Sequence, residues 1–194
     1  MSNSLIAATD CNGIIAKNGK IPWNCPGDME YFKKKTLDKP VIMGKTTFET
    51  IGKPLPGRSI IVLDQDATQN RIVRLPDGSG YYIACNVQAA YEHSMVTSFF
   101  GINPVSVFFQ EVMIAGGAST YQHFLNYEQI GKIYLNKIHN VDIMSDAEEE
   151  DSLLYFPYYF FITNEIGWKK TEIEVFEEEG FTAETYVPVT EDQK

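Results

Sequence analysis

The chain of 194 residues is 44% hydrophobic and 22% charged, a globular composition, and its length suits one domain with a core of its own. Its uncharged apolar runs fall far short of the roughly 20 residues that cross a bilayer, so no membrane partner is expected. The net charge of −10 disfavours nucleic acid, yet residues 1–140 hold 13 Lys and Arg against 11 Asp and Glu while residues 141–194 hold 3 against 15. An anionic small molecule therefore finds the better field in the first 140 residues, and the acidic remainder reads as solvated surface.

The first run, "SLIAAT" (4–9), reads as a strand and lacks the basic flank of a signal peptide. The chain is accordingly expected in the cytoplasm; Cys11, Cys25 and Cys85 have no metal-like spacing and read as reduced thiols. Residues 10–24, "DCNGIIAKNGKIPWN", read as a long irregular loop of the functional or mobile kind. A helix is expected over 26–36, a strand at "PVIMG" (40–44), a helix over 45–52, and strands at "SIIVL" (59–63) and "YYIAC" (81–85). A helix over 86–97, a strand at "VMIAGG" (112–117), a helix over 117–127 and a strand at "KIYLNKI" (132–138) follow. After a second irregular stretch, 139–157, "KKTEIEVFE" and "FTAETYVPV" alternate and close an antiparallel hairpin around "EEEG". Continuously apolar strands are covered on both faces, so the reading is an α/β sandwich with antiparallel edge strands.

Three places could carry chemistry. "VMIAGGASTYQHF" and "VIMGKTTFETIG" each run a strand through glycine into a helix start, where exposed N–H groups suit a phosphate. Two such junctions fit a dinucleotide, with Lys45 beside Thr46 placed for the extra ribose phosphate of NADPH; a solvated lysine is the plain alternative. Arg58 follows the rigid turn "PLPG", which presents its planar fork to a carboxylate or simply to solvent. Asp28, in "IPWNCPGDMEYFKKKT", sits at a helix start, where the dipole favours an acid by about 0.3 to 1 kcal/mol. It also shares a helical face with Phe32, beside Met29 and Lys33, and an acid buried there needs a cationic or doubly donating ligand.

With "SLIAA", "GIIAKNGKIPWN", "PGDMEYFKKKT", "PVIMGKTTFETIGKPLPGR", "IAGGASTY" and "IYLNKI" in order, the chain resembles the dihydrofolate reductase family over most of residues 4–138. The resemblance implies a three-layer α/β/α sandwich with a mixed, mostly parallel central sheet and a C-terminal antiparallel hairpin. One domain would span 1–190, with 191–194 a polar tail. It implies reduction of 7,8-dihydrofolate by hydride transfer from NADPH to pterin C6 with protonation at N5, in a monomer that also takes antifolates.

On this resemblance Asp28 pairs with the pterin 2-amino group and N3, Trp23 holds an ordered water, and Ile21 lies in a loop closing over the nicotinamide. Ile6, Ala8, Met29, Phe32, Lys33, Ile51, Leu55 and Ala115 fall in the substrate pocket, with Arg58 on the glutamate carboxylate. Tyr121 and a cis Gly116–Gly117 peptide fall on the nicotinamide side. Ala8, Ile15, Gly19, Lys45, Thr46, Thr47, Leu63, Asp64, Gln65, Ala118, Ser119 and Thr120 complete the cofactor set. Asn136 replaces a threonine bonded to the carboxylate, Ala115 replaces a bulkier residue, and Lys45 with Asp64 and Gln65 makes a less strict choice of NADPH over NADH. A riboflavin-pathway reductase shares fold and cofactor but lacks the Asp28 and Arg58 context. A folate- or nucleotide-binding protein without turnover is the reading from another class.

Overall fold

The computed structural model describes residues 2–95, 111–127 and 130–189. In chain order the elements are β1 (Ser2–Thr9), β2 (Ile14–Lys17), α1 (Pro26–Thr36), β3 (Pro40–Gly44), α2 (Lys45–Ile51), β4 (Ser59–Leu63), β5 (Arg71–Arg74) and β6 (Gly80–Ala84). They continue with α3 (Val87–Met95), β7 (Glu111–Ile114), α4 (Ala118–Tyr127), β8 (Ile130–Ile138), β9 (Leu153–Tyr155), α5 (Tyr159–Thr163), β10 (Trp168–Phe176) and β11 (Phe181–Pro188). The fold is the expected α/β one, with a mixed sheet and a C-terminal antiparallel hairpin. Residues 96–97 of the expected third helix and the tail 191–194 lie outside the described residues.

The chain divides into two compact units, Met1–Asn3 with Lys35–Gln129, and Ser4–Lys34 with Ile130–Lys194. In the first unit the strand order is β7-β3-β4-β6-β5, parallel except for β5, which runs antiparallel to β6. Val41, Ile42 and Met43 of β3 and Ile60, Ile61 and Val62 of β4 are buried, as continuous apolar runs covered on both faces must be. Helix α2 ends at Gly52, whose φ of 78° lets its N–H turn back to the Phe48 carbonyl at 2.8 Å. The Asn86 side chain starts α3 by accepting from the Ala89 N–H at 2.8 Å.

In the second unit β11 pairs antiparallel with β8 and with β10, which stands at the sheet edge. Edge strand β10 leaves Ile173 and Val175 exposed and carries a register shift between Lys170 and Glu172. On the inner strands, Glu184 is buried among Lys137, Lys170 and Tyr186: Lys137 lies 2.9 Å and Lys170 2.8 Å from its oxygens, and the Tyr186 hydroxyl donates to it. Burial pushes this carboxyl up, but the hydrogen bonds from Lys137, Lys170 and Tyr186 outweigh that and leave it below its ordinary value.

The two stretches expected to be irregular are mostly turns, but each contains one short strand. Lys17 to Lys20 closes a tight turn with φ of 52° at Asn18 and 74° at Gly19, the two positive values that an Asn-Gly hairpin requires. Strand β2, leading into that turn, pairs antiparallel with β9 from the second stretch, Ile14 opposite Tyr155 and Lys17 opposite Leu153. Side chains tie the same segments: Lys17 meets Asp151 at 2.7 Å, and Asn18 donates to Asp151 at 2.6 Å and accepts from the Ser152 N–H at 2.9 Å. Buried Asp10 anchors the start, accepting from the N–H groups of Asn12 and Ile14 on one oxygen and of Ile143 on the other. Helix α5 and strand β5 were also not anticipated; five and four residues are too few to show a period.

Candidate active site

Pro26 and Gly27 open α1 and bring Asp28 into its first turn. Its carboxylate is mostly enclosed, and burial raises its pKa against the lowering hydrogen bond from Asn136. That bond runs from Asn136 Nδ2 on β8 to Asp28 Oδ1 at 2.7 Å. Asn136 is itself buried, and its Oδ1 has no hydrogen-bond partner among the described residues. Around α1, Cys25, Tyr31, Ile138, Phe181 and Ala183 form a buried apolar cluster with Ala8 and Trp23 packed against it. An acid held by one amide in such surroundings has the chemistry to accept from a group offering two N–H donors.

The other expected residues of this unit are placed unequally. Ile6 is buried and Phe32 half-buried, whereas Ile21 and Met29 are about two-thirds exposed, at 65% and 66%. Ile15 is half-buried on β2, Gly19 lies at the exposed hairpin turn, and Lys33 pairs with Glu30 at 3.7 Å on the surface of α1.

In the first unit both glycine junctions lie at the carboxyl ends of adjacent parallel strands. The Gly44 N–H at the end of β3 donates to the Gly116 carbonyl after β7 at 2.7 Å, and the Gly116–Gly117 peptide is cis. A Cβ on Gly44 would meet Thr120 Oγ1 at 2.7 Å, so the hydroxyl would have to shift, and one on Gly117 would meet Thr47 Oγ1 at 3.2 Å, a tight contact that a shift of a few tenths of an ångström relieves. Gly116, with φ of 107°, is covered by Tyr121, whose hydroxyl lies 3.3 Å from where its Cβ would stand. Thr120 and Tyr121 are buried on α4, Ser119 is exposed, and Ala118 and Ala115 are half-buried.

Lys45 and the exposed Thr46 open α2, and Leu63 is buried at the end of β4. Lys45 Nζ stands 3.2 Å from Asp64 Oδ2 and 4.0 Å from Asp66 Oδ2; Gln65 between those acids is exposed. Ile51 ends α2 partly exposed and Leu55 is half-buried in the following turn. Arg58 donates through Nε to the Pro56 carbonyl at 3.0 Å and through Nη1 to Thr36 Oγ1 at 3.2 Å, which fixes the fork, and burial draws its pKa down. Sequence reasoning missed Asp66 as a partner of Lys45, Asp10 as an anchor, and Glu184 altogether. Only Asp10 had a local signal, the turn-forming "DCNG".

The fold is that of an α/β protein whose first unit has glycine-lined, hydroxyl-bearing helix starts of the kind that suit an anion, and whose second unit has one mostly enclosed carboxylate. The family model described as dihydrofolate reductase matches residues 3–150. A dihydrofolate reductase of Haemophilus influenzae is 33% identical over 174 residues, covering 90% of this chain and 86% of the relative. One from Buchnera aphidicola subsp. Acyrthosiphon pisum is 36% identical over 160 residues, covering 82% and 81%. A solved dihydrofolate reductase from Enterococcus faecalis, complexed with NADP(H) and RAB-propyl, aligns with a TM-score of 0.69 over 97% of each chain at 24% identity, a likeness in fold. The chain belongs to the dihydrofolate reductase family.

Proposed function

We propose that this chain reduces 7,8-dihydrofolate to 5,6,7,8-tetrahydrofolate with NADPH, supplying tetrahydrofolate for one-carbon metabolism. The observation that carries the reading is the enclosed Asp28 carboxylate held by the Asn136 amide at 2.7 Å in a chain of this family.

Asp28 accepts two N–H groups from the pterin's 2-amino and N3 edge, which orients the ring and favours its protonated form. The amide of Asn136 keeps one carboxylate oxygen in place, and burial raises the Asp28 pKa above its ordinary value. Arg58, fixed by Thr36 and Pro56, takes the substrate's terminal carboxylate. Ile21, exposed on its loop, closes over the reacting ring to exclude water, and Trp23 orders the water near it.

The bare backbones of Gly44 and Gly117 beside the Thr120 and Thr47 hydroxyls fit the phosphates of a dinucleotide. Lys45 serves the ribose end, and Tyr121 with Gly116 and Gly117 the nicotinamide end. When bound, NADPH supplies the hydride for pterin C6. One domain over 1–190, a monomer, antifolate binding and the cytoplasm belong to the same reading, the last supported by free Cys11, Cys25 and Cys85.

Purified protein should oxidise NADPH only when dihydrofolate is present, followed by loss of nicotinamide absorbance. Binding of both molecules without turnover would overturn the enzyme reading in favour of a binding protein.

A further inference from the structure

In the first unit β3 is flanked by β4, which follows it in sequence, and on its other side by β7, so the strand order reverses at β3. Open parallel sheets bind nucleotides beyond the carboxyl ends of their strands at such a reversal. Gly44, Gly116 and Gly117 occupy that point, and Asp64 lies one strand further out, twenty residues beyond Gly44 and just past the end of β4. An acid at the end of the neighbouring strand, about 20 residues on, is the arrangement by which dinucleotide-binding sheets hold a free ribose 2′-hydroxyl.

Asp64 is fixed rather than mobile. One of its oxygens accepts from the Asp66 N–H at 3.1 Å, its own N–H donates to the Ala84 carbonyl at 2.9 Å, and its side chain is only 12% exposed. Lys45, the cation beside it, meets its two oxygens at 3.4 and 3.2 Å and has Asp66 4.0 Å away. Two carboxylates against one ammonium leave the corner negative before any ligand arrives. A ribose diol offers O–H donors to such a carboxylate, whereas a phosphomonoester brings like charge and must draw Lys45 away from Asp64.

We infer that Asp64 is the residue that sets coenzyme choice: its carboxylate, locked to Lys45, accepts the free 2′-hydroxyl of NADH and opposes the 2′-phosphate of NADPH, so that the chain uses both coenzymes. This rests on the coenzyme reading above. Asp66, 92% exposed, adds to the same field with a weaker effect.

The test is equilibrium binding of adenosine 2′,5′-bisphosphate and adenosine 5′-monophosphate by calorimetry, with steady-state kinetics for NADPH and NADH alongside. Wild-type protein should bind the two nucleotides within about tenfold of each other, and Asp64→Asn and Asp64→Ser should tighten the bisphosphate by about tenfold without tightening the monophosphate. Asp66→Asn, at an exposed position, should move the ratio in the same direction by less. Bisphosphate bound more than about a hundredfold tighter by wild type, or a ratio moved less than about twofold in every Asp64 variant, would overturn the inference even if NADPH oxidation is intact. No NADPH oxidation with dihydrofolate, together with no binding of either nucleotide, would instead overturn the coenzyme reading beneath it.

Discussion

Asn136 donates its amide to Asp28 at 2.7 Å from 108 residues away in sequence, while its own Oδ1 is buried with no hydrogen-bond partner among the described residues. The pair is thus built around the charged form of the acid, in a place that burial makes unfavourable for charge.

Asp28→Asn should cut turnover at neutral pH by about 10²–10⁴-fold, the range for a group assisting proton transfer. Partial recovery is expected as pH falls, because more substrate is already protonated in solution. Stability should move the other way. The folded pKa of Asp28 lies above its ordinary 3.8, so its contribution is fully present below that value and is lost as pH rises through the folded one. The variant should therefore melt higher than wild type at neutral pH and converge with it toward about pH 4, as thermal unfolding across pH would reveal.

Glu184→Gln should destabilise the fold by about 1–3 kcal/mol in urea unfolding, because Lys137 and Lys170 are left facing one another without the charge between them. The folded pKa of Glu184 is depressed below 4.5, so this stabilisation is present above that value and fades as pH falls through the folded one. The loss should shrink in acid, and the double variant Glu184→Gln/Lys170→Met should regain part of it. Equal loss at every pH would show that the cost is in packing instead.

Gly44→Ala should cost about 1–3 kcal/mol by overpacking, since the new methyl lies 2.7 Å from Thr120 Oγ1 while Gly44's φ of −70° suits any residue. Adding Thr120→Ala removes the clashing oxygen. A double-mutant cycle should then return a coupling energy of opposite sign to the single loss, and strict additivity would disprove the contact.

Asp151→Ala should speed amide hydrogen exchange across Ile14–Asn18 and at Ser152 while leaving the global unfolding midpoint within error. The hydrogen bond from Lys17, followed by those from the Glu148 N–H and Asn18, holds this carboxyl down at about 2. Because that value is depressed from 3.8, the tie is complete above 3.8 and loosens only as pH falls through about 2. Wild-type exchange in these segments should accordingly show no added acid-driven opening above about pH 4.

Much of the local structure around the candidate site could be read from the chain because its signals are local. Pro26 and Gly27 ahead of Asp28 announce a helix start, and the runs 40–44 and 59–63 are apolar at every position, as buried parallel strands require. Strands β2 and β9 stayed hidden for the opposite reason: each is stabilised by the other across more than a hundred residues, and neither shows an alternation long enough to detect. The Asn18-Gly19 pair did announce its hairpin and was absorbed into a supposed loop. Asn136 has no local mark of function; only the family pattern put it opposite Asp28. Asp66 lay outside that pattern, so the crowding of Lys45 became visible only in space.

Strand β10 bears on how the protein behaves in concentrated solution. Among the described residues this nine-residue strand, with Ile173 and Val175 exposed, ends the sheet and offers its outer edge for another chain to extend. The register shift before Glu172 breaks its flatness, and Glu172 and Glu174 put repelling charge on any copy that approaches. The surplus of acids in residues 141–194 adds to that repulsion, so this edge is poorly suited to pairing with its own copy.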